Sequence, residues 1–198
     1  MAQKSINKLT NEELNLICST NYPLIKKSAM DKIRGILELT GEHVLGKINT
    51  QLPDNKRQYK ITSGENFDFC PYLVLDIPQI NPQNFGYVFR IFFRWGQHFS
   101  AQLIVNEEKF DIQRVFNGFL EQDFKLLILK GNNPWENHHE HEDYLNLFEL
   151  KETEKQEILN QNWLKICHEI SIKKPENLPM EALGFYEICL EILKLSSK

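Results

Sequence analysis

The segment NNPWENHHEHEDY, residues 132–144, carries the residue types that bind metals or form the rim of a ligand pocket. His139, His141 and Asp143 alternate along it, so an extended backbone would project all three side chains to the same side. Imidazole and carboxylate groups are ordinary ligands of zinc, manganese and iron. The HxHxD pattern occurs in dinuclear metal hydrolases, and together with His138 it indicates one candidate function, a metal-dependent hydrolase.

The metal prediction has a competing interpretation. The hydrolase pattern needs further histidines, but Tyr144 follows Asp143 and the last histidine downstream is His168. A short segment rich in histidine and acids is also typical of a solvated polar loop. The sequence therefore predicts no cofactor, and it leaves as an alternative a divalent metal bound by His138, His139, His141 and Asp143.

A second group of chemically useful residues lies in GYVFRIFFRWGQHFSAQLIV, residues 86–105, where side chains alternate with the period of a β-strand. The register of the expected hairpin follows from its apolar face. A loop of three residues pairs Phe93 with Phe99 and Arg90 with Gln102, which keeps one face apolar, whereas a loop of two mixes the faces. We therefore predict a hairpin with a three-residue loop.

The other face of this hairpin is a candidate ligand site. Two arginines on rigid strands are suited to bidentate binding of a carboxylate or a phosphate. His98 beside Arg94 would be kept neutral by the neighbouring charge and could act as a base. The run YLVLDIP adds a phenol and a carboxylate if it neighbours the hairpin, and a tryptophan of the histidine-rich loop would stand at the rim. The predicted ligand-binding residues are Arg90, Arg94, His98, Ser100, Gln102, Tyr72, Asp76 and Trp135.

This face also has a structural interpretation, because an antiparallel sheet commonly has one wet face on which arginines pair with acids of a covering element. Its apolar residues favour the pocket, since a solvated face would not be expected to hold Val88, Phe92 and Ile104. The sequence leaves both interpretations open.

Helices are predicted on both sides of the sheet region. Thr10 and Glu13 form a capping box that opens a short helix, and Pro23 suits the first turn of a second, longer one. Near the other end, Thr153 and Gln156 suggest a capping box, and a final helix is expected at about 179–196. The apolar stripe of the long helix is Ile25, Ala29, Ile33, Leu37, Thr40, Val44 and Ile48, and that of the helix after Thr153 is Leu159, Trp163, Ile166, Cys167 and Ile170.

These elements predict an α+β fold in a single domain, residues 1–198. It comprises a helical N-terminal segment (1–50), a sheet region (57–150) and a helical C-terminal segment (151–198). We expect an antiparallel sheet of about five strands, with the long N-terminal helix and two C-terminal helices packed on one face.

Composition limits the classes of partner. The chain has 198 residues, of which 41% are hydrophobic and 25% charged, and its net charge of −4 comes without the basic stripe that nucleic-acid binding needs. The four cysteines lie far apart, which favours reduced thiols over a disulfide framework. No apolar run is long enough for a signal peptide or a membrane span. The sequence therefore predicts a cytoplasmic protein that binds neither nucleic acid nor membrane.

The leading functional hypothesis is a binding or accessory domain that holds a small anionic molecule, or an acidic segment of a protein partner, on the face of Arg90, Arg94 and His98. One alternative is the metal-dependent hydrolase of loop 138–143, and another is a structural protein that forms a homodimer through exposed aromatic residues. The sequence leaves enzymatic activity undecided, although the missing HExxH, GxSxG and GxGxxG motifs favour a protein that is not an enzyme.

Overall fold

A computed structural model of the chain describes residues 8–48, 58–77, 86–138 and 142–197. The chain divides into two compact units, Met1–Gly35 and Ile36–Lys198. The described ranges contain five α-helices and seven strands, which confirms the α+β class predicted from the sequence.

The two N-terminal helices begin and extend as their sequence patterns predict. In α1 (Asn11–Cys18) the capping box is present: Glu13 N donates to Thr10 Oγ1 (3.2 Å) and Thr10 N donates to Glu13 Oε2 (2.6 Å). The long helix α2 spans Asn21–Ile48. In the part of α2 that belongs to the second unit, Leu37 and Val44 have no exposed surface.

The seven strands are β1 (Lys60–Phe67), β2 (Cys70–Ile77), β3 (Tyr87–Arg94), β4 (Phe99–Asn106), β5 (Leu126–Leu129), β6 (Tyr144–Asn146) and β7 (Trp163–Ile170). All seven pair antiparallel in one sheet with the order β1-β2-β3-β4-β7-β5-β6, two strands more than the sequence predicts. The predicted hairpin, β3 and β4, lies inside this sheet, with β2 next to β3 and β7 next to β4.

The register predicted for the β3–β4 hairpin is confirmed. Phe93 pairs with Phe99 and Arg90 with Gln102, which sets the apolar side chains of both strands on one face. Gly96 in the connecting loop has a φ of 83°, a conformation that glycine adopts without strain. Burial of one face therefore fixes the register.

The helix predicted to run through Ile170 is wrong. Helix α4 (Glu152–Leu159) ends there, and β7 follows as an inner strand between β4 and β5. Both faces of β7 are covered, so its apolar residues do not alternate with polar ones and also fit helical spacing. The N-cap of this helix is Lys151, whose backbone N donates to Glu154 Oε2 (2.9 Å), and not Thr153.

Two helices, α3 (Ile112–Leu120) and α5 (Leu178–Ser196), contribute to the core on the apolar face of the sheet. The ring of Phe89 on β3 lies 5.9 Å from that of Phe185 and 4.6 Å from that of Tyr186. Phe119 of α3 reaches the same Phe185 at 6.3 Å. The sheet, α3 and α5 therefore meet at Phe185, and this covered face leaves the opposite face for a site.

We expect Phe185→Ala to lower the free energy of unfolding by about 3–5 kcal/mol, because it opens a cavity where the two helices meet the sheet. The control is Phe148→Ala, which truncates an exposed ring and should change stability by no more than about 0.5 kcal/mol. Urea unfolding followed by circular dichroism measures both. Equal losses in the two variants would contradict this account of the core.

Candidate functional site

Cross-strand pairing aligns polar side chains across the face opposite to α3 and α5. Asp76 on β2 lies opposite Arg90 on β3, Arg90 opposite Gln102 on β4, and Gln102 opposite Cys167 on β7. Lys165 belongs to the same face, two residues before Cys167. The sheet therefore brings together three residues of the predicted site and adds a lysine that the sequence interpretation had placed on a helix.

Arg90 is engaged by its strand neighbour. Its Nε donates to Asp76 Oδ1 (2.6 Å) and its Nη2 to Asp76 Oδ2 (3.1 Å), and both side chains are largely buried. The ring of Trp135 covers the guanidinium group, with its centre 4.8 Å from Cζ. An external carboxylate could bind Arg90 in the same way only by displacing Asp76.

Residues 130–138, the covering loop, lie against this face. The side chain of Asn137 is the central contact, because its Oδ1 accepts from Gln102 Nε2 (3.1 Å) and from Lys165 Nζ (3.3 Å). Its Nδ2 donates to the carbonyl oxygen of Trp135 (2.8 Å), and Gln102 Nε2 also donates to Ser100 Oγ (3.1 Å). The described part of the histidine-rich segment is thus docked on the sheet by specific hydrogen bonds.

Lys165 has no exposed surface. Its Nζ donates to the carbonyl oxygen of Glu136, which also accepts from the hydroxyl of Tyr144. The ammonium group stands 5.6 Å from the centre of the Tyr144 ring. Burial lowers the pKa of Lys165 to about 8, because an ammonium ion loses its hydration in the interior.

The thiol of Cys167 lies on the same strand, and burial raises its pKa to about 11. A thiol with a raised pKa is a poor nucleophile at neutral pH, since the thiolate is the reactive form. All four cysteines are free, as predicted: Cys18, Cys70, Cys167 and Cys189. The network under the covering loop therefore contains a buried cation but no activated thiol.

A second cluster surrounds the turn between β1 and β2, residues 67–70, here called the Asp68 turn. Phe67 pairs with Cys70, and the two residues between them have positive φ values, 49° at Asp68 and 62° at Phe69, as in a type I′ turn. A bulky residue is rare in this conformation because its Cβ crowds the backbone. Phe69 nevertheless occupies it with 95% of its surface exposed.

Two cationic side chains converge on the carboxylate of the Asp68 turn. Asp68 Oδ2 accepts from Arg94 Nη1 (2.6 Å) and from His138 Nε2 (2.9 Å). Phe67 lies beside both, with its ring stacked on the imidazole at 4.4 Å and 5.8 Å from the guanidinium carbon. The covering loop and the hairpin thus each provide one cation to the same oxygen.

The geometry of His138 favours a charged imidazole. Its Nδ1 faces Glu136 Oε1 and its Nε2 faces Asp68 Oδ2, so both ring nitrogens need a hydrogen to donate. Partial burial opposes the charge, but the hydrogen bonds and charges of Glu136 and Asp68 outweigh it and raise the pKa of His138 above its ordinary value. The pKa of Glu136 is lowered because its hydrogen bonds to His138 and Asn137 outweigh its own desolvation.

Arg94 has hydrogen-bond donors besides the Nη1 group that contacts Asp68. The side chain is mostly buried, and its Nε is buried with no hydrogen-bond acceptor among the residues that the structure describes. A buried guanidinium N–H without an acceptor is costly, and an ordered water or a ligand oxygen commonly satisfies such a group.

The predicted site residues separate into neighbouring sets. Each of the two arginines and the histidine predicted for the site faces a different carboxylate. Arg90 faces Asp76, Arg94 faces Asp68, and His98 faces Glu169 on β7 with Nε2 and Oε1 3.2 Å apart. Tyr72 lies opposite Arg94 in the β2–β3 pairing. The ligand-binding role of these residues stays a prediction. Residues that the sequence interpretation missed are Asp68, Glu136, Asn137 and Lys165.

Parts of the predicted metal site can be located. Both nitrogens of His138 already face carboxylates, so a metal could bind there only by displacing one of them. Asp143 accepts a hydrogen bond from Lys130 N through its backbone oxygen (2.8 Å), while His139 and His141 lie outside the described residues. Within the described ranges no three His, Cys, Asp or Glu side chains are grouped as metal ligands, and the metal stays a prediction.

The chain matches no protein-family model, no curated protein and no solved structure. No helix in the described part of the chain is long and apolar enough to cross a membrane.

Replacing Lys165 should change how stability depends on pH. The native pKa of about 8 lies below the ordinary value of 10.5, so between these values the unfolded chain holds a proton that the native protein has released, and stability rises with pH. Relative to Lys165→Met, which lacks this titration, the wild type should gain on the order of 3 kcal/mol across that interval.

Urea unfolding at a series of pH values measures this difference. Lys173→Met removes an exposed lysine and should follow the wild-type pH dependence, because its ammonium group is in water in both states. A constant difference between wild type and Lys165→Met would show that Lys165 is not buried as described.

Proposed function

We propose that the protein binds a carboxylate or phosphate group at the Asp68 turn, either on a small anionic molecule or in an acidic segment of a protein partner. The observation that carries this proposal is the convergence of Arg94 and His138 on one oxygen, Asp68 Oδ2, at 2.6 and 2.9 Å. Two cations on rigid supports around one oxyanion are the arrangement that proteins use to bind carboxylates and phosphates.

The proposed site contains fewer residues than the ligand site predicted from the sequence. Arg90 already forms two hydrogen bonds to Asp76 and is covered by Trp135, so the proposed site does not include it. His98 faces Glu169. Arg94 has the more exchangeable partner, because 48% of the Asp68 side chain is exposed.

Asp68 acts as an internal counter-ion that a ligand can replace. Exchange of one carboxylate for another keeps the charge of the site balanced, so it avoids the cost of leaving buried cations unpaired. An incoming oxyanion could accept from Nη1 and Nη2 of Arg94 together, whereas Asp68 accepts from Nη1. Bidentate binding of this kind is stronger than a single contact, and this difference favours the exchange.

The surroundings of the turn favour a ligand that has an apolar group next to its charge. Phe69 is almost fully exposed in a backbone conformation that is unfavourable for its side chain. Strain of this kind persists mainly where a function requires it. An acidic peptide with a neighbouring apolar residue could contact Arg94, His138 and Phe69 together, whereas inorganic phosphate could use only the two cations.

Titration calorimetry with phosphate, citrate and an acidic peptide tests the proposal. Arg94→Gln should weaken binding at least about tenfold, because it removes a charged hydrogen-bond donor. Asp68→Asn should instead strengthen binding, because it removes the competing carboxylate, and asparagine tolerates the positive φ of the turn.

The matched control is Arg114→Gln on α3, which also has an acidic neighbour, Asp111, at 3.4 Å. It should leave the affinities unchanged. The proposal fails if none of the three probes binds the wild type, or if Asp68→Asn binds them more weakly.

The affinity should fall as pH rises above neutrality. Protonated His138 attracts the ligand, and its raised pKa places the loss of this charge above the ordinary value of 6.5. The measurement is calorimetry with citrate from about pH 6 to about pH 9, a range that brackets histidine titration. His138→Gln should bind more weakly at the lower pH and show a flatter profile; an unchanged profile would exclude His138 from the site.

A further inference from the structure

The first unit exposes an unusual amount of apolar surface. Half of the exposed large hydrophobic side chains in the described ranges lie within residues 9–25, and α1 has no buried residue. Single exposed apolar residues are common, but a concentration of them marks an interaction surface. These side chains are Leu9, Leu14, Leu16, Ile17, Tyr22, Leu24 and Ile25, of which Leu24 lies on the opposite side of α2 from Tyr22 and outside the surface proposed below.

The apolar stripe of α2 is buried at Leu37 and becomes exposed towards the start of the helix. Tyr22, Ile25 and Leu37 lie on one face, since apolar residues recur every three or four positions between them. Leu37 has no exposed surface, whereas Ile25 is 65% exposed. Between them, Ala29 and Ile33 are half-buried, so the exposure of the stripe increases towards the start of the helix over roughly 18 Å at 1.5 Å per residue. The helix therefore has an apolar face longer than its own chain covers.

We infer that two copies of the chain associate through this face, with α1 of each copy packed against the first part of α2 (residues 21–35) of the other. The inference is independent of the Asp68 turn, which lies in the second unit. The occupant is a second copy because each helix carries both the apolar side chains and the charges that the other requires.

The charges favour this crossed arrangement. Within α1 the charged residues are Glu12 and Glu13, whereas residues 21–35 contain Lys26, Lys27, Lys32 and Arg34 against the single acid Asp31. Packing α1 on α2 therefore joins surfaces of opposite sign, while packing α1 on α1 would join two acidic surfaces. A two-fold axis makes both crossed contacts at once, as in most homodimers.

The surface is at the small end of the range for a specific dimer. An interface of standard size involves about 20–30 residues of each partner. The segment from Leu9 to Gly35 has 27 residues, of which one side of each helix can face the other copy, so the dimer should dissociate on dilution.

Light scattering coupled to size-exclusion chromatography of the full chain, over a dilution series, tests this inference. The wild type should have twice the 23.4 kDa mass of one chain at the highest concentration. Ile25→Glu should give the mass of one chain, because a carboxylate would be buried in the interface.

Leu24→Glu is the matched control. Leu24 is 67% exposed, close to the 65% of Ile25, but it lies on the opposite side of α2 from Tyr22, so its substitution should leave the dimer intact. Ile17→Glu on α1 should separate the copies as Ile25→Glu does, and circular dichroism should show that all three variants keep the helices. A wild type that stays at 23.4 kDa throughout, or a dimer that Ile25→Glu and Leu24→Glu affect equally, would overturn the inference.

Discussion

The ammonium group of Lys165 has no exposed surface and lies on an inner strand of the sheet. A buried charge is tolerated only where other groups replace its hydration, so acceptors must be brought to the sheet from elsewhere in the chain. The covering loop provides them, through the carbonyl oxygen of Glu136 and the side-chain oxygen of Asn137. Asn137 also accepts from Gln102, so one loop residue forms hydrogen bonds with side chains of both β4 and β7. Burial of this lysine therefore fixes where the loop lies, and with it every side chain that the loop presents.

The same contacts place the exposed cluster at the Asp68 turn. Glu136 gives its carbonyl oxygen to Lys165, while its carboxylate accepts from the backbone N–H groups of Asn137 and His138. This folds the loop so that the imidazole of His138 points towards Asp68, where Arg94 also arrives from β3. Two cations and two carboxylates then alternate from Glu136 through His138 and Asp68 to Arg94. The cluster is close to neutral overall, so a bound anion would replace Asp68 without adding charge to the balance.

Sequence patterns predicted the elements that carry a local signal. In the hairpin of β3 and β4 one face is wholly apolar and the other contains polar residues, which gave its register, and Thr10 with Glu13 gave the start of α1. The pattern failed at β7, because Trp163–Ile170 is covered on both sides and carries no alternation, and Lys165 was consequently missed. The Asp68 turn was also missed, since Asp-Phe lacks the glycine or asparagine that usually marks a type I′ turn. Asp76 was predicted on the face of Arg90, and strand pairing places it opposite that arginine. Asp68 was not predicted as a partner of Arg94, because it reaches the arginine from the turn between β1 and β2.

The apolar stripe of α2 shows how one pattern can serve two purposes. From sequence it runs without a break from Ile25 to Ile48, and a single buried face was the natural interpretation. The core of the second unit uses Leu37, Thr40 and Val44, which have no exposed surface. Helix formation alone does not explain the rest, because an exposed helical position is filled better by alanine, glutamate or lysine than by a β-branched residue such as Ile25. An exposed isoleucine on the same face as the core therefore contributes little to the isolated chain. Its burial against another surface is the remaining way in which it can stabilise the protein.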